Sequence, residues 1–234
     1  MKAMILAAGF GKRMRPLTNC LPKPLLPVAG RSLIEYQIER LAVAGIRDIV
    51  INISYMGDKI QAHLGDGEKL GVSIHYSPEA EPLETAGAIA CAMSLLRDNP
   101  HDNEPFVVIN GDVWCDFLLE KLVQYPLPVD QLGHLLFVPN PEFKTKGDFC
   151  LVDDIKVQHC DNATEGYTFA GISLLRPSLI MSYPQLREAF SLKEVFDWAI
   201  TKQALTAQVY RGDWRDIGTP QRLQELEQFL QNEK

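Results

Sequence analysis

The segment LAAGFGKRMRPLT, residues 6–18, sets Gly9 and Gly11 beside three cationic side chains, Lys12, Arg13 and Arg15. Glycine leaves backbone N–H groups open to close approach, and such donors with Lys and Arg alongside suit phosphate oxygens. Neither standard nucleotide loop is present. Met14 stands where a G-x-G-x-x-G fingerprint needs its third glycine, while Leu6 and Arg13 break the Walker A pattern around Gly11-Lys12. Lys23 follows between Pro22 and Pro24. Flanking prolines predict a stiff, extended backbone there, aiming the ammonium in one direction, as a polyanionic substrate would require. The plainer alternative is a tight glycine turn with solvated basic residues.

Two aspartates could meet that polyanion through a metal. In FVVINGDVWCD, Asp112 lies just past an apolar run and beside Gly111; in GDWRDIGTP, Asp216 occupies a similar boundary, with Asp213 as an alternative. Carboxylates at strand ends suit a magnesium ion shared with phosphates, although an aspartate opening a turn reads the same way. SPEAEPLETAGAI, residues 77–89, reads as an acidic loop leading into a helix, with Glu79 and Glu81 on a solvated face. The five histidines have no serine or acid partner at motif spacing and are assigned no catalysis. Trp114 and Trp214 either wall a site or pack in the core.

These residues need a scaffold. Residues 3–8 read as a buried strand ending in the glycine loop. Helical periodicity over 33–44, stopped by Gly45, precedes a strand at 48–53, a helix at 59–64, a strand at 72–76, a helix at 86–96 capped by Thr85, and a strand at 106–110. Such alternation predicts a Rossmann-like α/β fold, a mostly parallel or mixed sheet flanked by helices. Asp116 reads as the N-cap of a helix running to 123. Shorter strands follow at 135–138, 149–152 and 167–175, then a helix at 192–200, a strand at 205–210 and a last helix opened by Thr219-Pro220. A single domain over residues 1–234 is expected, its first part about 1–115 and its second, carrying a further ligand surface, about 116–234.

Composition narrows the class. With 234 residues, 46% hydrophobic and 23% charged, the chain can bury a sizeable core and has no apolar run long enough for a bilayer. A net charge of −7 and a pI near 5.3 argue against nucleic acid and anionic membranes as partners. Five cysteines without a C-x-x-C pair suggest neither disulfides nor zinc, and a cytoplasmic, reducing location is expected.

LAAGFGKRMRPLT together with PKPLLPVAG resembles the sugar-1-phosphate nucleotidyltransferase family, whose signature is L-A-A-G-x-G-x-R-x-x-P-L-T and then P-K-P-L-x-P-V-x-G. The resemblance implies the nucleotide-diphospho-sugar transferase (GT-A-like) version of the fold. It implies transfer of a nucleotidyl group from UTP or another nucleoside triphosphate to a sugar 1-phosphate, with Mg²⁺ as cofactor. Ala8, Gly9, Gly11, Lys12, Arg13 and Lys23 would bind the nucleotide, Arg13 and Lys23 acting catalytically. Late W-x-D-I-G-T-P and N-G-D motifs match Asp216 and Asp112 as the metal ligands. Leu83, Glu84 and Gly87 would face the base, and Asn110, Asp148, Thr168 and Gly171 the sugar. Lys12 departs from the Ser or Thr of many members. No left-handed β-helix repeat is seen, so a monomer or small homo-oligomer is expected. A noncatalytic nucleotide-sensing subunit on the same fold would be expected to have lost a charged site residue, and Arg13, Lys23, Asp112 and Asp216 are all present.

Overall fold

Ala3, Met4 and Ile5 of β1 (Lys2–Leu6) are fully buried, and they point alternately to two different cores. A strand apolar on both faces belongs in the middle of a parallel sheet covered on each side. This is what the computed structural model, which describes residues 1–161 and 165–232, contains. A small ribbon of β2 (Pro27–Val28) and β3 (Arg31–Ser32) leads into α1 (Leu33–Val43), which opens on a Ser32/Glu35 capping box. Then come β4 (Asp48–Ile53), α2 (Gly57–Leu64), β5 (Ser73–Pro78), α3 (Glu84–Cys91), α4 (Met93–Leu96) and β6 (Phe106–Asn110). Strands β7 (Val113–Cys115), β8 (Gly133–Val138), β9 (Cys150–Val152), β10 (Lys156–Gln158) and β11 (Thr168–Leu175) follow, with α5 (Glu120–Val123) between the first two. The remaining elements are α6 (Pro177–Met181), α7 (Leu192–Thr201), β12 (Leu205–Val209), β13 (Trp214–Asp216) and α8 (Pro220–Asn232).

Among the described residues the main sheet has nine strands in the order β5-β4-β1-β6-β11-β8-β12-β10-β9. The first four are parallel; β11 runs antiparallel to both β6 and β8, so the sheet is mixed, as the change in texture after residue 116 implies. The chain goes from β1 outward to β4 and β5, then returns to place β6 on the other side of β1. The loops after β1 and β6 therefore diverge at a topological switch point, where open α/β sheets bind ligands. On one face Ala3 and Ile5 meet Ile34, Ile38 and Leu41 of α1; on the other Met4 meets Ala86 and Ile89 of α3 and Val195 and Phe196 of α7. Leu223 and Leu226 of α8 close a third cluster over Met14, Trp114 and Ile217. Trp114 is thus a packing residue, edge-on to Phe229.

Several local expectations give way to tertiary contacts. Thr85 does not cap α3: it lies inside that helix's first turn, and its hydroxyl instead accepts the Leu192 N–H at the start of α7 at 2.7 Å. The helix expected over 86–96 breaks at Ala92 into α3 and α4. Asp116 is not an N-cap either; α5 begins four residues later, and the Asp116 carboxylate accepts the Tyr210 hydroxyl at 2.6 Å. Lys23 is not extended but opens a 3-10 turn over Lys23–Leu25, with the Leu26 N–H donating to its carbonyl at 3.1 Å. Cys150 and Cys160 are disulfide-bonded, against the expectation that the cysteine pattern suggests no disulfides, because the β9–β10 hairpin folds the two side chains together. The short ribbons β2–β3 and β7–β13, the three-residue strand β10 and α6 carry too little periodicity to be read in advance.

Candidate active site

The glycine turn after β1 is shaped from below. The Ala7 N–H donates to Asn52 Oδ1 at 2.7 Å, and Gly11 adopts φ +59° with Thr18 and Lys23 packed so closely that a Cβ would sit 3.0 Å from Thr18 Cγ2. Only glycine combines that left-handed backbone with that approach. Lys12–Met14 then form a 3-10 turn whose Met14 is buried, leaving Lys12 and Arg13 on its outer side. Gly111 is the second place where a side chain is excluded: a Cβ would lie 2.9 Å from the Leu6 carbonyl, which accepts the Gly111 N–H. That close approach brings Asp112 beside the turn.

Four charged side chains from distant parts of the chain meet there. Lys23, only 8% exposed, places Nζ 2.7 Å from Asp112 Oδ2. The antiparallel ribbon pairs Asp216 of β13 with Val113 of β7, and the Ile217 N–H donates to the Asp112 carbonyl at 2.9 Å, so Asp112, in the turn just before β7, lies beside the end of β13. Arg13 completes the group: a Cβ built on Gly218 would lie 3.1 Å from Asp216 Oδ2 and 3.3 Å from both terminal nitrogens of Arg13. Asp213, the other candidate, turns away to Arg215. Asp216 is also held by Arg222 of α8 at 2.8 Å, and the ring of Phe143 lies over that guanidinium.

Two adjoining cavities share Gly9, Lys23 and Asp112. The one of about 180 Å³ is bounded by Gly11, Lys12, Arg13 and Gly218 and is rich in cations. The other, about 260 Å³, is largely apolar and runs from Ala8 and Asn110 past Glu79 to Leu83, Glu84 and Thr85. Gly87 lines neither: it is buried in α3, where a Cβ would collide with the Glu188 carbonyl at 2.3 Å, so it serves helix packing. Asp148, Thr168 and Gly171 also lie outside both cavities. Asp148 accepts the Phe169 N–H at 2.9 Å and the Lys144 ammonium at 2.6 Å, while the Thr168 hydroxyl donates to Asn140. Gly171 lies against Asn110, where a Cβ would come within 2.7 Å of Nδ2.

Glu79 overturns its reading as a solvated residue; it is 7% exposed, with its carboxylate bonded to Asn52 and the Leu83 N–H. Asn52, Glu79 and Arg222 are site-lining or site-supporting residues that the motifs miss. Asn52 had a usable signal, being a polar residue within the apolar run DIVINI. Beyond the site, burial drives the Cys115 thiol on β7 up to about 11. Burial likewise raises the Tyr210 hydroxyl, helped by Asp116, and holds the His134 imidazole down at about 4.

An acidic pair beside a cation-lined cavity, next to an apolar slot, can hold a nucleoside triphosphate with its base in the slot and its phosphates among the cations. Comparison with known proteins points the same way. Residues 2–147 match the family model described as nucleotidyl transferase. The chain is 43% identical, over 97% of its own length and 97% of the relative's, to an N-acetylmuramate alpha-1-phosphate uridylyltransferase of Neisseria meningitidis serogroup B. It is 36% identical over 94% of its length to the mannose-1-phosphate guanylyltransferase catalytic subunit beta of Drosophila pseudoobscura pseudoobscura, of which it spans 59%. Its fold superposes with a TM-score of 0.85 on a candidate glucose-1-phosphate thymidylyltransferase from Bacillus anthracis, at 24% identity over 98% of this chain and 94% of that one. HddC from Yersinia pseudotuberculosis, solved with GMP-PN, gives 0.76 at 23% identity, covering 98% and 99%.

Proposed function

The chain belongs to the nucleotidyl transferase family, and from that premise we propose that it joins UTP and N-acetylmuramate α-1-phosphate into UDP-N-acetylmuramate and pyrophosphate, a step of peptidoglycan recycling. The observation that carries the reading is the meeting of Arg13, Lys23 and Asp112 around one cation-lined cavity, with Asp216 beside its Gly218 wall. The similarity to the Neisseria uridylyltransferase over nearly both whole chains supports the choice of substrates.

In this reaction a phosphate oxygen of the sugar 1-phosphate attacks the α-phosphorus of UTP, and the bond from that phosphorus to the pyrophosphate breaks. The nucleophile is already an anion, so no general base is needed. What must be overcome is repulsion between two anions, which calls for positioning and fixed positive charge. Arg13 takes the departing pyrophosphate from the outer side of the glycine turn. Lys23, held in its 3-10 turn and nearly buried, steadies the α-phosphate or the incoming sugar phosphate. The turn 82–85 lies along the uracil, and Asn110, backed by Gly171, borders the sugar.

Mg²⁺ is the cofactor we assign. Among the described residues no group of three or more His, Cys, Asp or Glu side chains is placed to hold a metal. Asp112 and Asp216 fit magnesium all the same, because that ion is commonly bound by one or two carboxylates and by the substrate's phosphates. When bound, it supplies neutralising charge to the phosphate oxygens.

The test is pyrophosphate release from UTP, CTP, GTP and dTTP against a panel of sugar 1-phosphates. UTP with N-acetylmuramate α-1-phosphate should give the highest kcat/KM. Highest activity with GTP and mannose 1-phosphate would instead favour the second reading, suggested by the 36% identity to the guanylyltransferase subunit. No activity with any pair would leave a nucleotide-sensing role.

A further inference from the structure

Three hydrogen bonds run in series beneath the larger cavity. The Ala7 N–H donates to Asn52 Oδ1 at 2.7 Å, Asn52 Nδ2 donates to Glu79 Oε1 at 2.6 Å, and the Leu83 N–H donates to Glu79 Oε2 at 3.4 Å. Asn52 is 3% exposed and Glu79 7%. Glu79 makes no ion pair among the described residues, so a buried carboxylate is held by neutral donors alone. Burying such a group is unfavourable, and for stability alone an uncharged residue would serve better.

The ends of the series explain the choice. Ala7 starts the turn that leads to Gly9 and Gly11, and Leu83 starts the turn that leads into α3. The next residue, Glu84, is a non-glycine held at φ +58° facing the cavity. A strained backbone of this kind persists only where its surroundings fix it. The Glu79 N–H also donates to the Ile53 carbonyl at 2.8 Å, locking the middle of the relay to β4.

We propose that Asn52 and Glu79 form a positioning relay that fixes the turn 82–85 relative to the turn 7–11, and thereby sets which nucleobase is accepted. The inference rests on the larger cavity being the base-binding part of a nucleotide site. Asn52 presents its amide oxygen to Ala7 and its amide nitrogen to Glu79, so the polarity of the chain of bonds runs one way. Glu79 is used as a double acceptor.

That polarity supplies the experiment. Glu79→Gln sets an NH₂ group against either the Asn52 amide or the Leu83 N–H, and Asn52→Asp sets two carboxylates face to face. The double variant Asn52→Asp/Glu79→Gln restores all three bonds with the middle one reversed: the amide now at position 79 donates to the carboxylate now at position 52 and still accepts from Leu83. Each single variant should raise the KM for UTP about ten-fold and shrink the preference for UTP over CTP and GTP, while kcat falls far less. The double variant should recover both, and hydrogen exchange at the Ala7 and Leu83 amides should speed up in the singles and slow again in the double.

Two results would overturn the relay. One is a folded double variant, checked by its circular dichroism and Tm, that stays as poor as the singles, which would mean that the Glu79 charge itself meets the base. The other is a set of single variants with wild-type KM, base preference and amide protection. Failure of the functional reading looks different. There the wild-type protein would turn over no sugar 1-phosphate, while nucleotide binding by calorimetry and amide exchange still decide for or against the relay.

Discussion

Arg13 and Asp216 face one another across Gly218, whose missing side chain leaves each of them within about 3.3 Å of the same point. A cation from the first turn of the chain and a carboxylate from its last strand are thus separated by the width of one absent methyl group.

Gly218→Ala puts that methyl back. The atoms it meets are the ends of flexible side chains, so they can move aside, and stability should change by less than about 1 kcal/mol. The cost falls on geometry: turnover should drop roughly ten-fold or more as Arg13 and Asp216 are pushed off their positions. Steady-state pyrophosphate release and a thermal melt check the two halves separately. A large fall in Tm with unchanged kcat would be the wrong way round.

Lys23→Ala should lower kcat by on the order of 10²-fold, the usual scale for removing one preorganised charge from a transition state. Lys23→Arg should not restore it. The space around a nearly buried ammonium 2.7 Å from Asp112 does not admit a planar guanidinium in the same place. A folded Lys23→Ala protein with near-normal turnover would remove Lys23 from the mechanism.

Asp112→Asn and Asp216→Asn should each weaken Mg²⁺ binding, read directly by Mn²⁺ paramagnetic resonance in the presence of UTP as well as by activity. Losing one charged ligand of two should shift the apparent affinity by ten-fold or more, on the order of the effect of one lost charge-assisted contact. Asp213→Asn should bind metal as the wild type does.

How much of this was legible beforehand divides along physical lines. Buried strands such as DIVINI and FVVIN declare themselves by continuous apolar character, and β4 and β6 fall where the sequence reading puts them. The glycine turn and Lys23 are recognisable because a fixed motif encodes them. What escaped were residues whose role is set by a partner far along the chain. Glu79 looks like one more acid in an acidic loop until Asn52 arrives beneath it; Thr85 looks like a cap until Leu192 offers its N–H; Gly87 looks like a base contact until the 188–189 backbone fills the space over it. Local propensity carries no information about such encounters.

His134 gives a pH prediction away from the site. Its ring is stacked on Tyr125 and bonded through Nδ1 to Thr206, and its burial depresses it from an ordinary 6.5 to about 4. Its folded-state affinity for a proton is thus lower than in the unfolded chain. Protonation therefore favours the unfolded chain: the penalty is absent above about pH 6.5 and grows as the pH falls toward 4, to about 3 kcal/mol once it is complete. Urea unfolding at pH 7 and 4.5 should show the loss, and His134→Leu should reduce it.

Thiol labelling should sort the cysteines into three classes. Cys20 and Cys91 are exposed and react at once; Cys115, buried and with its thiol pushed up to about 11, reacts only on unfolding. Cys150 and Cys160 react only after reduction, which should also lower stability by about 2–3 kcal/mol for a loop of this size. Immediate labelling of all five in the untreated protein would contradict the bond.

The β7–β13 ribbon has a consequence for how the protein comes into being. During synthesis the glycine turn, Lys23 and Asp112 leave the ribosome well ahead of the strand that brings Asp216. A nascent chain halted between β12 and β13 holds all nine strands of the main sheet yet lacks the second acid and the closing helix. On the proposed reading such a chain should release no pyrophosphate until that last strand has emerged and paired with β7.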